Sequence, residues 1–343
     1  MIFTFKTKPQ FNILSILDHF TEQALSLEPH VNLIPAKTRF RPLFSTKIDM
    51  LLVESTWLGN QGHWQYQVAS YPEHPQRNNI KLKKLIDWAK NKGIPTVFWN
   101  KEDPFHFEQF IASASLFDYI FTTDKNMINH YKKRLNHTHI YSLMFPIQPK
   151  IHYATPLINI KHKSSIFIGS YIKHMHSERQ QWQDTYFPIA AQYGGLTIVD
   201  RHAQNTHEHY QFPQLANTTY LAQVPYEQTG HLYRQYQQAL NVNTITDSPT
   251  MFSRRLLEIM ACGRLAISNP CLAINEHFKA CCEVIENQQQ AQQLFKQLEY
   301  GYLPEQVEKI NYACHYVQQN FNVQSWLQQI LRTCNIDHPY LTL

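Results

Sequence analysis

Residues 77–100 read RNNIKLKKLIDWAKNKGIPTVFWN, and two periods meet in them. Through residue 92 the apolar side chains fall at 80, 82, 85, 86 and 89, the spacing that lays one stripe along an α-helix. After Gly93 the pattern becomes a continuous apolar run, IPTVFWN, short enough for a strand covered on both faces. A helix that feeds such a strand is half of a βαβ unit, which predicts a parallel sheet with helices against it.

The same alternation extends in both directions. FNILSILD (11–18), IDMLLVES (48–55), FDYIFTT (117–123) and HIYSLMF (139–145) read as further buried strands, and DKNMINHYKKRL (124–135) as a helix capped by Asp124. PIQPKIHYATPLINIKHK (146–163) carries three prolines and no clear period, so a linker is expected over 149–163. A second alternation follows: strands SSIFIGS (164–170), GLTIVD (195–200), ALNVN (239–243), RLAISN (264–269) and CEVIE (282–286), with helices around 177–193, 226–238 and 250–262 and through most of 287–333. The reading is α/β: two Rossmann-like, doubly wound parallel-sheet domains, 1–148 and 164–333, followed by a tail at 334–343. Ligands of such sheets bind beyond the carboxyl ends of the strands, so a cleft between the domains is the expected site.

Composition narrows the class. The chain has 343 residues, 43% hydrophobic and 17% charged, enough apolar material for two packed interiors. No run reaches the roughly 18–20 apolar residues of a membrane span, and MIFTFKTKPQ (1–10) lacks the apolar core of a signal peptide. The six cysteines form no C-x-x-C pair, which suits reduced thiols and a cytoplasmic location, and no His cluster has metal-ligand spacing. The net charge of +5 gathers in lysines 81, 83, 84, 90 and 92 and in YKKRL (131–135). These form either a solvated helix face or a surface drawn to a polyanionic acceptor or to anionic lipid at the inner face of a membrane.

Three stretches carry chemistry. In DSPTMFSRRLLEIMACGRLAISN (247–269), Asp247, Ser248 and Thr250 can cap a helix that Gly263 ends. A helix opening there offers N–H groups to an anion, with Arg254 and Arg255 one turn inside to reach diphosphate oxygens and Glu258 to accept from ribose hydroxyls. The same residues also fit a plain amphipathic helix with an i,i+4 pair. In SSIFIGSYIKHMHSERQ (164–180), Gly169 and Ser170 end a strand, and Lys173 and Arg179 supply charge. With no G-x-G-x-x-G and no Walker loop, the dehydrogenase and P-loop ATPase classes fall away. In VFWNKEDPFHF (97–107), Glu102, Asp103 and His106 crowd the end of a strand. One of them is either a general base or, for Asp103, the cap of a following helix with Glu102 in a salt bridge. Glu54, Trp57 and Trp64 in VESTWLGNQGHW (53–64) end the preceding strand, where the aromatic rings suit a sugar face or fill the core.

LLVESTWLGNQGHW, IPTVFWNKEDPFHF, FDYIFTTD, FIGSY and LNVNTITDSPTMFSRRLLEIMACG together resemble the CgeB-type, spore-maturation-like glycosyltransferases, a branch of the GT-B fold, from about residue 11 to about 285. The resemblance implies sugar transfer from a nucleotide-diphosphate donor to an acceptor hydroxyl in cell-surface polysaccharide or related glycan synthesis. It implies no cofactor beyond the nucleotide sugar, a glycan or lipid-linked acceptor, and donor binding in the second domain. Many retaining relatives place two Glu residues seven apart at the start of the helix expected over 250–262; here Glu258 matches the second and Met251 stands at the first. Donor-sugar contacts then pass to backbone near Thr250, Met251 and Phe252. LDHFTEQ replaces a glycine-rich turn after the first strand, which makes Asp18 an acceptor-side candidate or a helix cap. No D-x-D triplet occurs, so no metal is expected to bridge the diphosphate. The competing readings are a sugar-nucleotide epimerase of the same fold, a nucleotide-sugar-binding protein without turnover, and an enzyme that glycosylates phage DNA bases.

Overall fold

The computed structural model describes residues 10–38, 46–173, 175–205 and 207–342. The apolar runs become strands and the striped segments helices, in the order β1 (Phe11–Ile16), α1 (His19–Ser26), β2 (Val31–Pro35), β3 (Met50–Glu54), α2 (Ile80–Asn91), β4 (Thr96–Asn100), α3 (Phe107–Ala114), β5 (Tyr119–Thr122), α4 (Met127–Leu135) and β6 (Ile140–Ser142). The chain continues through β7 (His162–Gly169), α5 (Ser177–Gln192), β8 (Leu196–Asp200), β9 (Thr218–Ala222), α6 (Tyr226–Tyr233), β10 (Tyr236–Asn241), α7 (Arg255–Ala261), β11 (Leu265–Ser268), β12 (Glu283–Val284), α8 (Gln288–Leu298), α9 (Pro304–Asn320) and α10 (Val323–Thr333). Most of the MIFTFKTKPQ opening lies outside the described residues.

The chain divides into two units. The first runs to Phe145 and takes the chain back from Val323 onward; the second is Pro146–Asn322. The first holds a six-stranded sheet in the order β2-β1-β3-β4-β5-β6 and the second one in the order β12-β11-β10-β7-β8-β9. Each pair of neighbouring strands is parallel.

Neighbouring residues along β1, β3 and β4 go to opposite faces of the first sheet, and both faces are covered. Leu14, Ile16, Leu51, Val53 and Phe98 join the side chains of α2, α3 and α4. Phe11, Ile13, Met50, Leu52, Val97 and Trp99 join Leu25 of α1 and Trp326, Leu327, Ile330 and Leu331 of α10. In the second unit Phe167, Ile198, Leu240 and Ile267 pack with Trp182, Phe187 and Ala190 of α5 and Phe295 of α8.

Each sheet has one place where the strand order reverses. In the first, the chain steps from β1 outward to β2 and then crosses to β3 on the other side of β1. In the second, it steps from β7 through β8 to β9 and then crosses to β10 on the other side of β7. The crevices beyond the carboxyl ends of β1 and β3, and of β7 and β10, are therefore where such sheets hold ligands.

The structure departs from the sequence expectation in several places. β2 and β9 were not anticipated; both are edge strands, half-buried or exposed along most of their length, and so lack a continuous apolar run. α6 stops at Tyr233 instead of running to 238, because Gln237 and Gln238 belong to buried β10. Their amides are satisfied there by Leu298 O (2.8 Å) and Ser165 Oγ (3.1 Å), partners far away in sequence. β7 begins at His162, inside the expected linker. α10 and the segment after it fold with the first unit, whereas the sequence assigned 164–333 to the second domain and 334–343 to a tail.

Candidate active site

At the reversal point of the first sheet, two carboxylates and one ammonium meet. Glu54 closes β3, Asp18 follows β1, and Lys101 follows β4. The Lys101 Nζ donates to Asp18 Oδ2 at 2.7 Å and to Glu54 Oε1 at 3.1 Å. Glu54 is fully buried and also accepts from Thr21 Oγ1 at 2.7 Å and from the Asp18 amide. Asp18 accepts from the Thr56 hydroxyl and keeps a quarter of its side chain open to solvent, against 12% for Lys101. Burial pushes the Glu54 carboxyl up, partly opposed by Lys101. Burial pulls Lys101 down, but the pull of Glu54 and Asp18 outweighs it and leaves the ammonium above its ordinary range.

The neighbouring loop is built around Asp103, which is 1% exposed. Its carboxylate accepts from Asn100 Nδ2 (2.8 Å), Thr122 Oγ1 (2.6 Å) and the Tyr131 hydroxyl (3.0 Å). Burial raises it to about 7 against the donation of Thr122 and Tyr131, with Asp124 and Glu102 adding to the rise. Asp103 does not cap α3: it is an interior hub with both oxygens occupied, and His106 takes the position before that helix. His106 is half-buried, edge-on to Trp57 at 5.0 Å and to Phe105 at 4.9 Å, and among the described residues no hydrogen bond engages its ring. Glu102 is half-buried; its amide is held by Ser55 Oγ and Asn100 Oδ1. Trp57 packs on Phe110 and Tyr71, whereas Trp64 is wholly interior and donates to Ala36 O at 2.8 Å, which removes it as a sugar platform.

The second unit gathers arginines. The expected helix over 250–262 starts only at Arg255, because the loop before it binds its amides elsewhere. Ser248 Oγ accepts from the Met251 amide (3.0 Å) and the Thr250 amide (3.3 Å), and Asn243 Oδ1 takes the Ser253 amide at 2.9 Å. Arg254 and Arg255 thus stand at the helix boundary, not one turn inside. Arg254 donates to Glu258 Oε1 at 2.7 Å and lies over the Tyr226 ring at 4.8 Å. Arg255 donates to Ile168 O at 2.6 Å and lies over Phe167 at 4.5 Å. A Cβ on Gly169 would come within 2.7 Å of the Arg255 guanidinium, so glycine at this strand end makes room for an arginine. Arg179 donates to Ser170 O at 2.7 Å. Burial, then Arg255 and Arg201, push Arg179 down to about 9. Arg201, which follows β8 and keeps part of its side chain at the surface, is lowered by removal from water and by Arg254 and Arg255.

Four guanidinium groups therefore share one field, with Glu258 as a carboxylate in their midst. Burial raises Glu258, but Arg254, His152 and Arg255 outweigh it and hold it below the usual range. Two buried donors, Arg179 Nε and Arg255 Nη1, find no acceptor among the described residues. Lys173 lies exposed on the loop after Ser170. Phe252 packs edge-on to Phe278 at 5.0 Å and is interior, while Met251 and the buried Thr250 lie along the loop. The sequence did not single out Lys101, Arg201, Asn243 or the buried His152, whose Nε2 meets Thr229 Oγ1 at 2.9 Å. All but His152 sit at or just past the carboxyl end of a strand, the one signal that could have marked them.

Residues 180–332 match the glycosyl transferase-like family. Comparison with curated proteins finds no match. Among solved structures, the chain is similar to a glycosyltransferase from Rickettsia africae, with a TM-score of 0.56 at 11% identity over 95% of this chain and 98% of that one. It is also similar to an alpha-glucosyltransferase in complex with UDP and a 13-mer DNA containing an HMU base (TM-score 0.62, 11% identity, 95% and 100% coverage). A third similar structure is Anabaena HepE in complex with UDP and glucose (TM-score 0.51, 10% identity, 94% and 91% coverage). The fold with the family match defines the class, a glycosyltransferase of GT-B architecture. Among the described residues no helix is long and apolar enough to cross a membrane.

Proposed function

We propose that the enzyme moves a sugar from a nucleoside-diphosphate donor to an acceptor hydroxyl, in the manner of the CgeB-type enzymes that its motifs resemble, and that the second unit holds the donor. One observation carries this reading: Arg179, Arg201, Arg254 and Arg255 gather beyond the strand-order reversal, and Arg179 and Arg255 each keep a buried donor that meets no acceptor among the described residues. Cations pressed together lower one another's proton affinity, and an anion among them relieves that cost. The diphosphate of the donor supplies two charges, and Glu258 is placed to accept from ribose hydroxyls beside it.

In the transfer, the acceptor oxygen forms a bond to the anomeric carbon, and the bond from that carbon to the phosphate oxygen breaks. The diphosphate departs with the electron pair, and guanidinium groups stabilise the charge that develops on it. The acceptor proton passes to a base at the strand ends of the first unit. A glycan or a lipid-linked glycan is the acceptor class that the resemblance favours, and the arginines take the place of a metal at the diphosphate.

Titration with UDP, GDP, ADP and CDP by calorimetry and thermal shift tests the reading. At least one raises the melting temperature and binds with a stoichiometry of one, in the presence or absence of excess EDTA. Silence from all four would remove the donor assignment, and binding that requires Mg²⁺ or Mn²⁺ would remove the metal-free mechanism.

A further inference from the structure

Only one carboxylate of the first unit's charged trio faces outward. Glu54 is fully buried, with Lys101, Thr21 and the Asp18 amide around its two oxygens. Asp18 has Lys101 on one oxygen and Thr56 on the other, and a quarter of its side chain remains in solvent. Thr56 in turn accepts the Gly59 amide at 2.8 Å, so its hydroxyl hydrogen is committed toward Asp18. Each oxygen thus takes one inward donor and keeps outward lone-pair capacity. Lys101 itself is tethered: its amide donates to Ser55 Oγ at 2.9 Å, at the end of the neighbouring strand.

We infer that Asp18 is the carboxylate that takes the acceptor proton, and that Lys101 is a positioning residue that holds Asp18 in place, with buried Glu54 fixing the ammonium. This inference rests on the sugar-transfer reading above. A base needs an accessible lone pair and a fixed orientation. Asp103 lacks the first and His106 lacks a hydrogen-bonded orienter among the described residues, whereas Asp18 has both. The trio carries one net negative charge when all its members are ionised. Charge for charge, Glu54 offsets Lys101 and leaves Asp18 to act. Glu102 also acts on the Lys101 ammonium and favours its charge.

The test uses the full-length enzyme. Asp18→Asn changes one exposed-edge oxygen to an amide and is expected to fold. It should lose roughly 10²–10⁴-fold in kcat, the range of general base catalysis, while nucleoside-diphosphate affinity stays within about twofold. Lys101→Met strands Glu54 beside an apolar chain, so the double variant Lys101→Met, Glu54→Gln removes that buried charge and keeps the volume. It should retain donor affinity and lose kcat more than it alters KM. An Asp18→Asn enzyme that turns over at the wild-type rate overturns the inference whatever the double variant does. A double variant with unchanged kcat and KM overturns the role of Lys101. Loss of nucleoside-diphosphate binding in the unaltered protein would instead indict the donor reading, so the two failures are distinguishable.

Discussion

Arg254 shows how much one side chain is asked to do at the donor site. It pairs with Glu258, lies over Tyr226 and adds charge to the arginine cluster. If Arg254 holds the leaving diphosphate as proposed, replacing it by Ala removes a charge-assisted contact worth about 1.5–3 kcal/mol and should weaken nucleoside-diphosphate binding roughly tenfold to a hundredfold by calorimetry. Glu258→Gln should raise the donor KM with less change in kcat, because ribose contacts are made equally before and during transfer. Asp103 makes a different prediction. Its carboxyl is raised from about 3.8 to about 7 in the folded chain, chiefly by burial. Between those values the folded protein holds a proton that the unfolded chain has released, so stability from this group falls as pH rises through that window and levels off above it. Asp103→Asn carries no such charge. Urea midpoints measured from pH 4.5 to 8 should therefore fall less steeply in the variant than in the parent, and parallel curves would show that the group titrates normally. Residues of this kind were the least legible part of the sequence. NKEDPFHF announces a charged loop, but not that Asp103 turns inward to Asn100, Thr122 and Tyr131 while its neighbour Lys101 turns toward Asp18. Those directions depend on strands that sequence spacing does not order.

The loop of residues 248–254 is an element that the sequence misread as helix. Of the expected capping residues Asp247, Ser248 and Thr250, Ser248 accepts amides, but it closes a turn and not a helix start. What draws the loop out is Asn243, past the end of β10, whose carbonyl takes the Ser253 amide while its amide group reaches Ser268 Oγ and Asn269 Oδ1, both at 3.1 Å. This polar network is buried, so each member is costly to orphan. Asn243→Ala should destabilise the protein by about 1–3 kcal/mol and weaken nucleoside-diphosphate binding by roughly tenfold, because the loop that carries Arg254 loses its anchor. Calorimetry on the folded variant separates the two effects, and undiminished affinity would show that the loop holds its shape without Asn243. Strands that are mostly apolar runs, such as β3, β4 and β5, were by contrast readable from the sequence. β2 and β9 escaped because an edge strand has little to bury, and β10 was half missed because its glutamines are satisfied by side chains and carbonyls from other elements.

At the scale of the whole molecule, the sequence yields two sheets but not the path that closes the first. α10 is separated from β6 by the entire second unit, yet its Trp326, Leu327, Ile330 and Leu331 complete the core beneath β1, β3 and β4. Amphipathic periodicity identifies such a helix and says nothing of which apolar face it covers, so it was assigned to the domain that precedes it in the chain. The first unit is consequently discontinuous, and its stability depends on a segment that arrives last. Trp326 lies 4.9 Å from Trp99 with the rings at 68°, and 4% of it is exposed. Trp326→Ala should cost about 3–5 kcal/mol, the usual loss for a buried aromatic that leaves a cavity. That cost falls on the first unit alone. Calorimetric scans of the variant should show one transition moved down while saturating nucleoside diphosphate still raises the transition of the second unit. A single transition lowered as a whole would mean that the two units unfold together and that α10 supports both.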